Sequence, residues 1–230
     1  MKKIDNLIII PCRKGSKGIK FKNFIDIKGK SLYETSLSHA LSLKKKFKST
    51  KIVISSDFNI KKDSTKKYII LKRPKKISGD KSKSKEYVKH ALNFFNKKKF
   101  DFKNIIILQP TSPVREKNDM IKALNYFNKN KANSLISVYE EHYVNPLVMY
   151  KKIGKFGQPL KKGHNSGSGR KKKDVTYVRN GSMYIFKVNF FKKNKKIISS
   201  KPLMYIMSKL NSINIDTKED LELYKKLEIS

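Results

Sequence analysis

Short apolar runs alternate with amphipathic segments along the first 140 residues of this 230-residue chain. The runs at 7–10, 51–55 and 104–109 are rich in Ile, Val and Leu, as strands buried on both faces of a sheet are. Between them, apolar side chains recur at helical spacing over 32–46, 84–97 and 119–129. This alternation predicts an α/β fold with a doubly wound, mainly parallel sheet and ligand sites at the carboxyl ends of its strands.

Weaker patterns extend this prediction to the rest of the chain. They indicate a short helix over 59–66, strands over 68–71, 134–139, 177–186 and 213–215, and a terminal helix over 218–227. The length and the absence of internal repeats favour one large domain, 1–230.

A glycine-containing basic loop follows the first predicted strand. It begins after Pro11 and carries Gly15, Gly18 and several cations, so its backbone can bend closely around a ligand and its side chains can neutralise phosphates. The loop matches neither the Walker motif nor the dinucleotide fingerprint. From composition alone, a solvated turn in a lysine-rich protein explains it equally well.

A second motif, Gln-Pro-Thr-Ser-Pro-Val-Arg, begins at Gln109, directly after the strand predicted over 104–109. Two prolines stiffen it, and polar side chains are thereby held at the carboxyl end of a strand. Only five arginines occur beside fifty lysines, and an arginine retained in such a background suggests a need for its planar guanidinium. The motif therefore predicts a binding site.

Together the two motifs resemble those of the acylneuraminate cytidylyltransferases, also called CMP-N-acetylneuraminic acid synthetases. The first motif reads Pro-x-Arg-x-Gly-Ser-Lys-Gly-Ile with Lys22 and Asn23 after it, and the second differs from the family's only at Val114. Weaker likenesses lie at 73–80, 180–184 and 215–221. The resemblance implies a nucleotide-diphospho-sugar transferase-like, Rossmann-like fold. It also implies transfer of a cytidylyl group from CTP to a nonulosonic, sialic-acid-like sugar, with release of pyrophosphate.

The resemblance also implies roles for individual residues. Those expected at the nucleotide are Arg13, Gly15, Ser16, Lys17, Lys22, Asn23, Arg73, Asp80 and Ser82. Those expected at the acceptor sugar are Gln109, Thr111, Ser112, Arg115, Arg170 and Asn180. The catalytic group implied consists of Arg13, Lys17 and Asp216.

The implied cofactor is Mg²⁺, with Mn²⁺ as a substitute. The family often has two aspartates near the end of the chain, where this sequence has Asn214 and Asp216. Alternate residues of a strand point to the same face, so the pair could meet one ion with a single carboxylate. Alternatively, Asn214 belongs to a hydrogen-bond network and does not contact the metal.

The regular pattern breaks between residues 140 and 176. Prolines and glycines punctuate this region, and 161–173 is polar, basic and poor in core residues. Composition favours a disordered loop over a lid. The resemblance instead implies an inserted dimerisation element, and hence a homodimer. Asn180 and Gly181, which follow it, would form a hairpin turn if they had no role in a site.

The net charge of +37 raises an alternative of a different class, a nucleic-acid or polyanion binder. The lysines are spread over nearly every segment, however, and Asn and Ile are also abundant, as expected from AT-rich codons. We therefore expect no specific nucleic-acid partner. The second alternative is a cytidylyltransferase for 3-deoxy-manno-octulosonate.

Hydropathy and cysteine content bear on the compartment. No apolar segment approaches the length that spans a bilayer, so no membrane insertion is expected. The only cysteine, Cys12, excludes an internal disulfide and fits a reducing compartment. These features predict a cytoplasmic protein.

Overall fold

The computed structural model describes residues 1–15, 18–27, 29–60, 67–142, 146–163 and 175–227. Its strands are β1 Lys2–Cys12, β2 Asp26–Ile27, β3 Lys30–Ser31, β4 Thr50–Ser56, β5 Ile69–Lys72, β6 Phe100–Leu108, β7 Ser134–Glu141, β8 Tyr150–Ile153, β9 Phe156–Pro159, β10 Thr176–Lys187 and β11 Leu203–Met207. Its α-helices are α1 Leu32–Lys46, α2 Ser84–Lys97, α3 Lys117–Lys129, α4 Val188–Asn194 and α5 Lys218–Lys226.

Seven of the strands form one sheet in the order β11-β7-β10-β6-β1-β4-β5. Strand β1 pairs in parallel with β4 and β6, and β5 and β11 also join in parallel. Strand β10 alone is antiparallel to both of its neighbours. The predicted α/β class with a mainly parallel sheet is therefore confirmed.

The core consists of two layers, one on each face of the sheet. On β1, Ile8 and Ile10 pack with the helices α1 and α3, whereas Leu7 and Ile9 pack with α2 and α4. All four side chains are fully buried, which explains why this strand reads as an unbroken apolar run. A third apolar cluster joins α5 to the segment that follows the basic loop, through Ile19, Leu32 and Leu221.

Strand β10 contains a bulge at Asn180 and Gly181, and the pair does not form a hairpin turn. Its pairing with β7 shifts register between Arg179 and Tyr184, and Gly181 has a φ of 73°. The left-handed conformation favours glycine, and a Cβ there would lie 3.0 Å from Gln109 Oε1. The bulge thus brings the chain against the second motif.

The secondary structure differs from the prediction in several places. The segment 213–215 is not a strand, although Ile215 N donates a hydrogen bond to the Thr111 carbonyl at 2.7 Å. The apolar pattern does not predict α4, because this helix is only seven residues long. It also does not predict β11, because this edge strand has half-exposed positions. Residues 150–159, predicted to be irregular, form the exposed hairpin β8–β9.

Parts of two predictions lie outside the described residues. Most of the tract 161–173 is one of them. The other is the short helix over 59–66, of which only the first two residues are described, and these are not helical. Among the described helices, none is long and apolar enough to cross a membrane.

Candidate active site

A cleft of about 280 Å³ opens at the carboxyl ends of β1 and β6, where the topology of the sheet predicts a ligand site. It is framed by the basic loop, the segment before α2, the second motif and the segment before α5. The lining residues are Pro11, Arg13, Gly15, Lys22, Asn23, Arg73, Gly79, Asp80, Ser82, Ser84, Tyr87, Gln109, Pro110, Thr111 and Asp216. Most of the site residues named from the sequence are thus brought together.

The basic loop places Arg13 at one side of this cleft. Its Nη1 lies 2.6 Å from Asp80 Oδ1, and both side chains are about one third exposed, at 32% and 39%. The Asn23 side chain donates a hydrogen bond to the Arg13 carbonyl at 2.9 Å, and the Lys14 amide donates to Asp57 at 2.7 Å. The loop backbone is therefore anchored from two sides, while Ser16 and Lys17 lie outside the described residues.

Lys22 and Asp216 form the second ion pair of the cleft. Lys22 Nζ, in a side chain only 8% exposed, donates to Asp216 Oδ1 at 2.8 Å and to the Ile215 carbonyl. Asn214 Nδ2 donates to the other carboxylate oxygen, Oδ2, at 2.5 Å. A Cβ on Gly18 would collide with the Asp216 carbonyl, so glycine lets the basic loop pack closely against this segment.

Arg73 lies buried at the floor of the cleft, with 5% of the residue exposed. It donates to the Ser55 hydroxyl at 3.1 Å and to the Ser55 carbonyl at 2.7 Å, and it stacks 5.0 Å above the Tyr87 ring. Burial raises the pKa of Tyr87 to about 12, so its phenol is neutral at physiological pH. The floor is therefore rigid and carries one positive charge.

The second motif contributes Gln109 and Thr111 to the lining, whereas Ser112 faces inward and is fully buried. Its hydroxyl lies 3.3 Å from both the Asn180 carbonyl and Asn214 Oδ1. Ser112 therefore links the motif to the bulge of β10 and to the segment that carries Asp216. This agrees with the alternative in which Asn214 takes part in a hydrogen-bond network.

Three residues assigned to the acceptor sugar do not line the cleft. The side chains of Ser112, Arg115 and Asn180 are buried, and each is hydrogen-bonded to other protein groups. Asn180 donates to Ser212 at 2.8 Å and accepts from Ser137 at 2.6 Å. In this structure the three side chains hold the surrounding loops, and a contact of any of them with the sugar stays a prediction. Arg170 lies outside the described residues.

The sequence reading did not assign Tyr87 to the site, because its position on the apolar face of α2 is typical of a core residue. It also did not assign Pro11, Gly79 and Pro110 to the site, although they are neighbours of assigned residues. A ring that packs in the core and also borders a cleft cannot be recognised from helical periodicity. The stacking of Arg73 on Tyr87 is what reveals its place.

Among the described residues, no group of three His, Cys, Asp or Glu side chains is placed to hold a metal ion. Any ion bound at Asp216 would therefore need further ligands from a substrate. This is the usual way in which Mg²⁺ binds at phosphate-transferring sites.

His39, on α1 beside Arg115, is expected to make the protein sensitive to acid. Burial, together with the positive charges of Arg115, Lys117 and Lys30, lowers its pKa from 6.5 to about 3. Between these values the unfolded chain binds a proton that the folded protein does not, so the free energy of unfolding falls as the pH falls. Between about pH 7 and pH 4.5 this effect lowers the free energy of unfolding by about 2 kcal/mol. We expect the variant His39→Gln to lack this decrease, as measured by urea unfolding at each pH. An identical pH dependence in both proteins would contradict this assignment.

The family emerges from comparison of the whole sequence with known proteins. A profile of the family described as Cytidylyltransferase matches residues 7–229. The chain belongs to this cytidylyltransferase family. The match includes the basic loop, the second motif and the Asp216 segment, which together frame the cleft.

Several curated proteins are similar to this chain. N-acylneuraminate cytidylyltransferase of Escherichia coli is 29% identical over 224 residues, covering 94% of this chain and 50% of the relative. Pseudaminic acid cytidylyltransferase of Campylobacter jejuni is 27% identical, covering 97% of this chain and 96% of the relative. The chain thus spans about half the length of the first of these relatives and nearly all of the second.

Solved structures share the fold at low sequence identity. A CMP-2-keto-3-deoxy-manno-octonic acid synthetase in complex with CTP superimposes with a TM-score of 0.62 at 14% identity, covering 96% of this chain and 97% of the other. For 2-C-methyl-D-erythritol 4-phosphate cytidylyltransferase of Francisella tularensis, the TM-score is 0.63 at 16% identity, with 96% and 98% covered. These similarities support the Rossmann-like fold.

Proposed function

We propose that this protein transfers a cytidylyl group from CTP to a hydroxyl group of a nonulosonic acid and releases pyrophosphate. The observation that carries the proposal is the cleft in which Arg13, Lys22, Arg73 and Asp216 of the family's motifs converge. In the reaction, an acceptor oxygen bonds to the α-phosphorus while the bond to the pyrophosphate oxygen breaks. Catalysis of this kind depends mainly on positioning and on neutralising negative charge.

The two ion pairs determine how the triphosphate would enter. Arg13 forms an ion pair with Asp80, and Lys22 forms one with Asp216. Phosphate oxygens would replace Asp80 at the Arg13 guanidinium, since that pair is about one third exposed and correspondingly weak. Together with Ser16 and Lys17 of the same loop, Arg13 would then stabilise the charge of the leaving pyrophosphate.

Asp216 is the residue that would hold Mg²⁺ or Mn²⁺. Its side chain is 66% exposed, and the amide oxygen of Asn214 lies in the same network. One carboxylate with a neutral oxygen fits a Mg²⁺ ion whose remaining ligands are water and phosphate. When bound, the ion would neutralise charge on the phosphates, while Lys22 would keep the carboxylate in place.

Restoring a second carboxylate by Asn214→Asp is expected to alter the metal dependence. The change replaces the amide that donates to Asp216 with a second carboxylate, and the two negative charges repel each other. A cation bound between the two carboxylates would relieve this repulsion. We expect a lower Mg²⁺ concentration for half-maximal rate and a larger rise in melting temperature on adding Mg²⁺ than in the wild type. Unchanged titrations in both assays would exclude Asn214 from the metal site.

The acceptor class rests on the relatives, whose names specify N-acylneuraminate and pseudaminic acid. Gln109 and Thr111 line the cleft and would contact the sugar. Arg170 would meet the acceptor carboxylate, because a guanidinium binds a carboxylate through two parallel hydrogen bonds.

A pyrophosphate-release assay with CTP tests this proposal. The acceptors would be N-acetylneuraminate, pseudaminate and 3-deoxy-manno-octulosonate, each with Mg²⁺. Turnover with one of the first two supports the proposal, and turnover with the third alone would favour the octulosonate alternative. Retention on DNA without turnover of CTP would instead favour a polyanion binder.

We also propose that the protein is a homodimer assembled through the inserted element. The hairpin β8–β9 exposes Tyr150, Ile153 and Phe156 by 54%, 51% and 70%. Apolar side chains clustered on a small exposed hairpin are typical of a surface that another protein covers. A second copy is the partner expected for such a surface, because most soluble oligomers are symmetric homo-oligomers.

The double variant Ile153→Ser and Phe156→Ser is expected to convert the dimer into a monomer, as measured by light scattering. Leu223→Ser is the matched control, since Leu223 is 52% exposed and belongs to α5 and not to the hairpin. A monomeric wild type, or a dimer that persists in the double variant, would contradict the proposal.

A cytoplasmic location is proposed from the substrate and the thiol. CTP is a cytoplasmic metabolite, and the only cysteine, Cys12, is fully buried with no disulfide partner. Fractionation of cells with a tagged protein would test this placement.

A further inference from the structure

Arg115 makes four hydrogen-bonding contacts that join three parts of the fold. Its Nη2 donates to the Gln109 carbonyl at 2.5 Å, and its Nε lies 3.3 Å from the Ser182 hydroxyl. Its Nη1 lies 3.1 Å from the Ser36 hydroxyl and 3.4 Å from His39 Nδ1. The guanidinium therefore ties the start of the second motif to α1 and to the bulge of β10.

The charge of Arg115 is buried without a carboxylate to balance it. Only 4% of the residue is exposed, and among the described residues no Asp or Glu forms an ion pair with it. His39, its ionisable neighbour, is neutral because the same burial lowers the pKa of that imidazole to about 3. An unpaired buried cation opposes folding, so the hydrogen bonds of the guanidinium have to offset the cost of its burial.

The Gln109 carbonyl connects Arg115 to the cleft, because Gln109 also lines the cleft. It accepts from Arg115 and also from the Ser112 amide, at 3.2 Å, which closes the turn of the motif. The Thr111 carbonyl, in the same turn, accepts a hydrogen bond from the Ile215 amide at 2.7 Å. Ile215 directly precedes Asp216 in the sequence. The position of Arg115 is thus transmitted to Gln109, Thr111 and Asp216, which line the cleft.

We propose that Arg115 is a positioning residue, which holds the second motif and the Asp216 segment in the geometry required for transfer, without contacting substrate. The proposal rests on the function proposed above and replaces the direct role in sugar binding that the sequence suggested. A lysine could reach only some of the acceptors, because its three donors lie on one nitrogen and do not match the planar guanidinium.

Two variants and one control test the proposal. Arg115→Met removes the donors and the charge, and Arg115→Lys keeps the charge. Lys117→Gln removes a positive charge from an exposed position two residues away and is the matched control. Each protein would be examined by kinetics and by amide hydrogen exchange, measured residue by residue with NMR.

We expect the amides of Ser112 and Ile215 to exchange at least about tenfold faster in Arg115→Met, with amides of β1 and β4 unchanged. The kcat should fall by about 30- to 100-fold, while the KM for CTP changes less than about threefold, because the Arg13 loop is not tethered by Arg115. Arg115→Lys should lie between the wild type and Arg115→Met in both measurements, and Lys117→Gln should match the wild type in amide exchange.

Unchanged exchange at both amides in a folded Arg115→Met would overturn the proposal, as would a loss confined to the KM for the acid sugar. If Arg115→Met does not fold, Arg115→Lys and Ser36→Ala carry the same test, since Ser36→Ala deletes a single contact of the guanidinium. A wild type that transfers no nucleotide would refute the proposed function, whereas the exchange data would still decide whether Arg115 positions the motif.

Discussion

Replacing Asp216→Ala is expected to abolish cytidylyl transfer at every Mg²⁺ concentration, with a loss of at least about a thousandfold in kcat. Among the described residues, Asp216 is the only carboxylate that bonds to the Asn214 side chain, because the neighbouring Asp220 carboxylate accepts instead from the Asp216 and Thr217 amides at the start of α5. A Mg²⁺ titration of the pyrophosphate-release rate measures the effect. Recovery of the rate at high Mg²⁺ would show that other groups bind the ion.

The substitution also removes the partner of Lys22, whose ammonium group is almost completely buried. Part of the loss could therefore reflect lower stability, because a buried charge without a partner destabilises the folded state. The double variant Lys22→Met and Asp216→Ala removes both charges and should recover melting temperature without recovering activity. Glu219→Gln, which neutralises an exposed carboxylate three residues away, should retain the wild-type rate.

Replacing Arg13→Ala is expected to lower kcat/KM for CTP by about 30- to 1000-fold, which corresponds to about 2 to 4 kcal/mol of transition-state stabilisation. The guanidinium lies at the cleft and its present partner, Asp80, is partly exposed, so phosphates can take its place. The fold should be preserved, since the Arg13 side chain is 32% exposed and makes this one ion pair among the described residues.

Lys14→Ala provides the matched control for Arg13. Lys14 is an exposed cation of the same loop whose side chain does not line the cleft among the described residues. We expect near-normal steady-state kinetics for this variant. Equal losses in both variants would mean that the loop acts through its total charge, and near-normal kinetics for Arg13→Ala would remove the loop from the site.

The central layers of the fold could be predicted because they depend on local patterns. Strands β1, β4 and β6 are buried on both faces and therefore read as continuous apolar runs, and α1 and α2 show clear helical periodicity. The parallel arrangement then fixed the edge of the sheet at which Arg13 and Gln109 meet. The short helix α4 and the edge strand β11 lack such a pattern.

The contacts within the site could not be predicted, because they join residues that are distant along the chain. Lys22 and Asp216 are separated by 194 positions, and Arg13 and Asp80 by 67. The sequence identified these residues as members of motifs, but it did not show that the cations pair with carboxylates in the cleft. Arg115 was assigned to the sugar because its motif resembles that of the family, whereas its burial depends on how α1 packs against the motif.

Identification of the reaction product would show whether the protein transfers a cytidylyl group to a nonulosonic acid. The purified protein would be incubated with Mg²⁺, a nonulosonic acid and CTP, UTP, ATP or GTP in separate reactions, followed by mass spectrometry and pyrophosphate measurement. We expect a CMP-linked acid from CTP, with one pyrophosphate released for each product molecule and little product from the other nucleotides. Equal product from ATP or UTP, or CTP consumption without a CMP-linked acid, would contradict the proposed function.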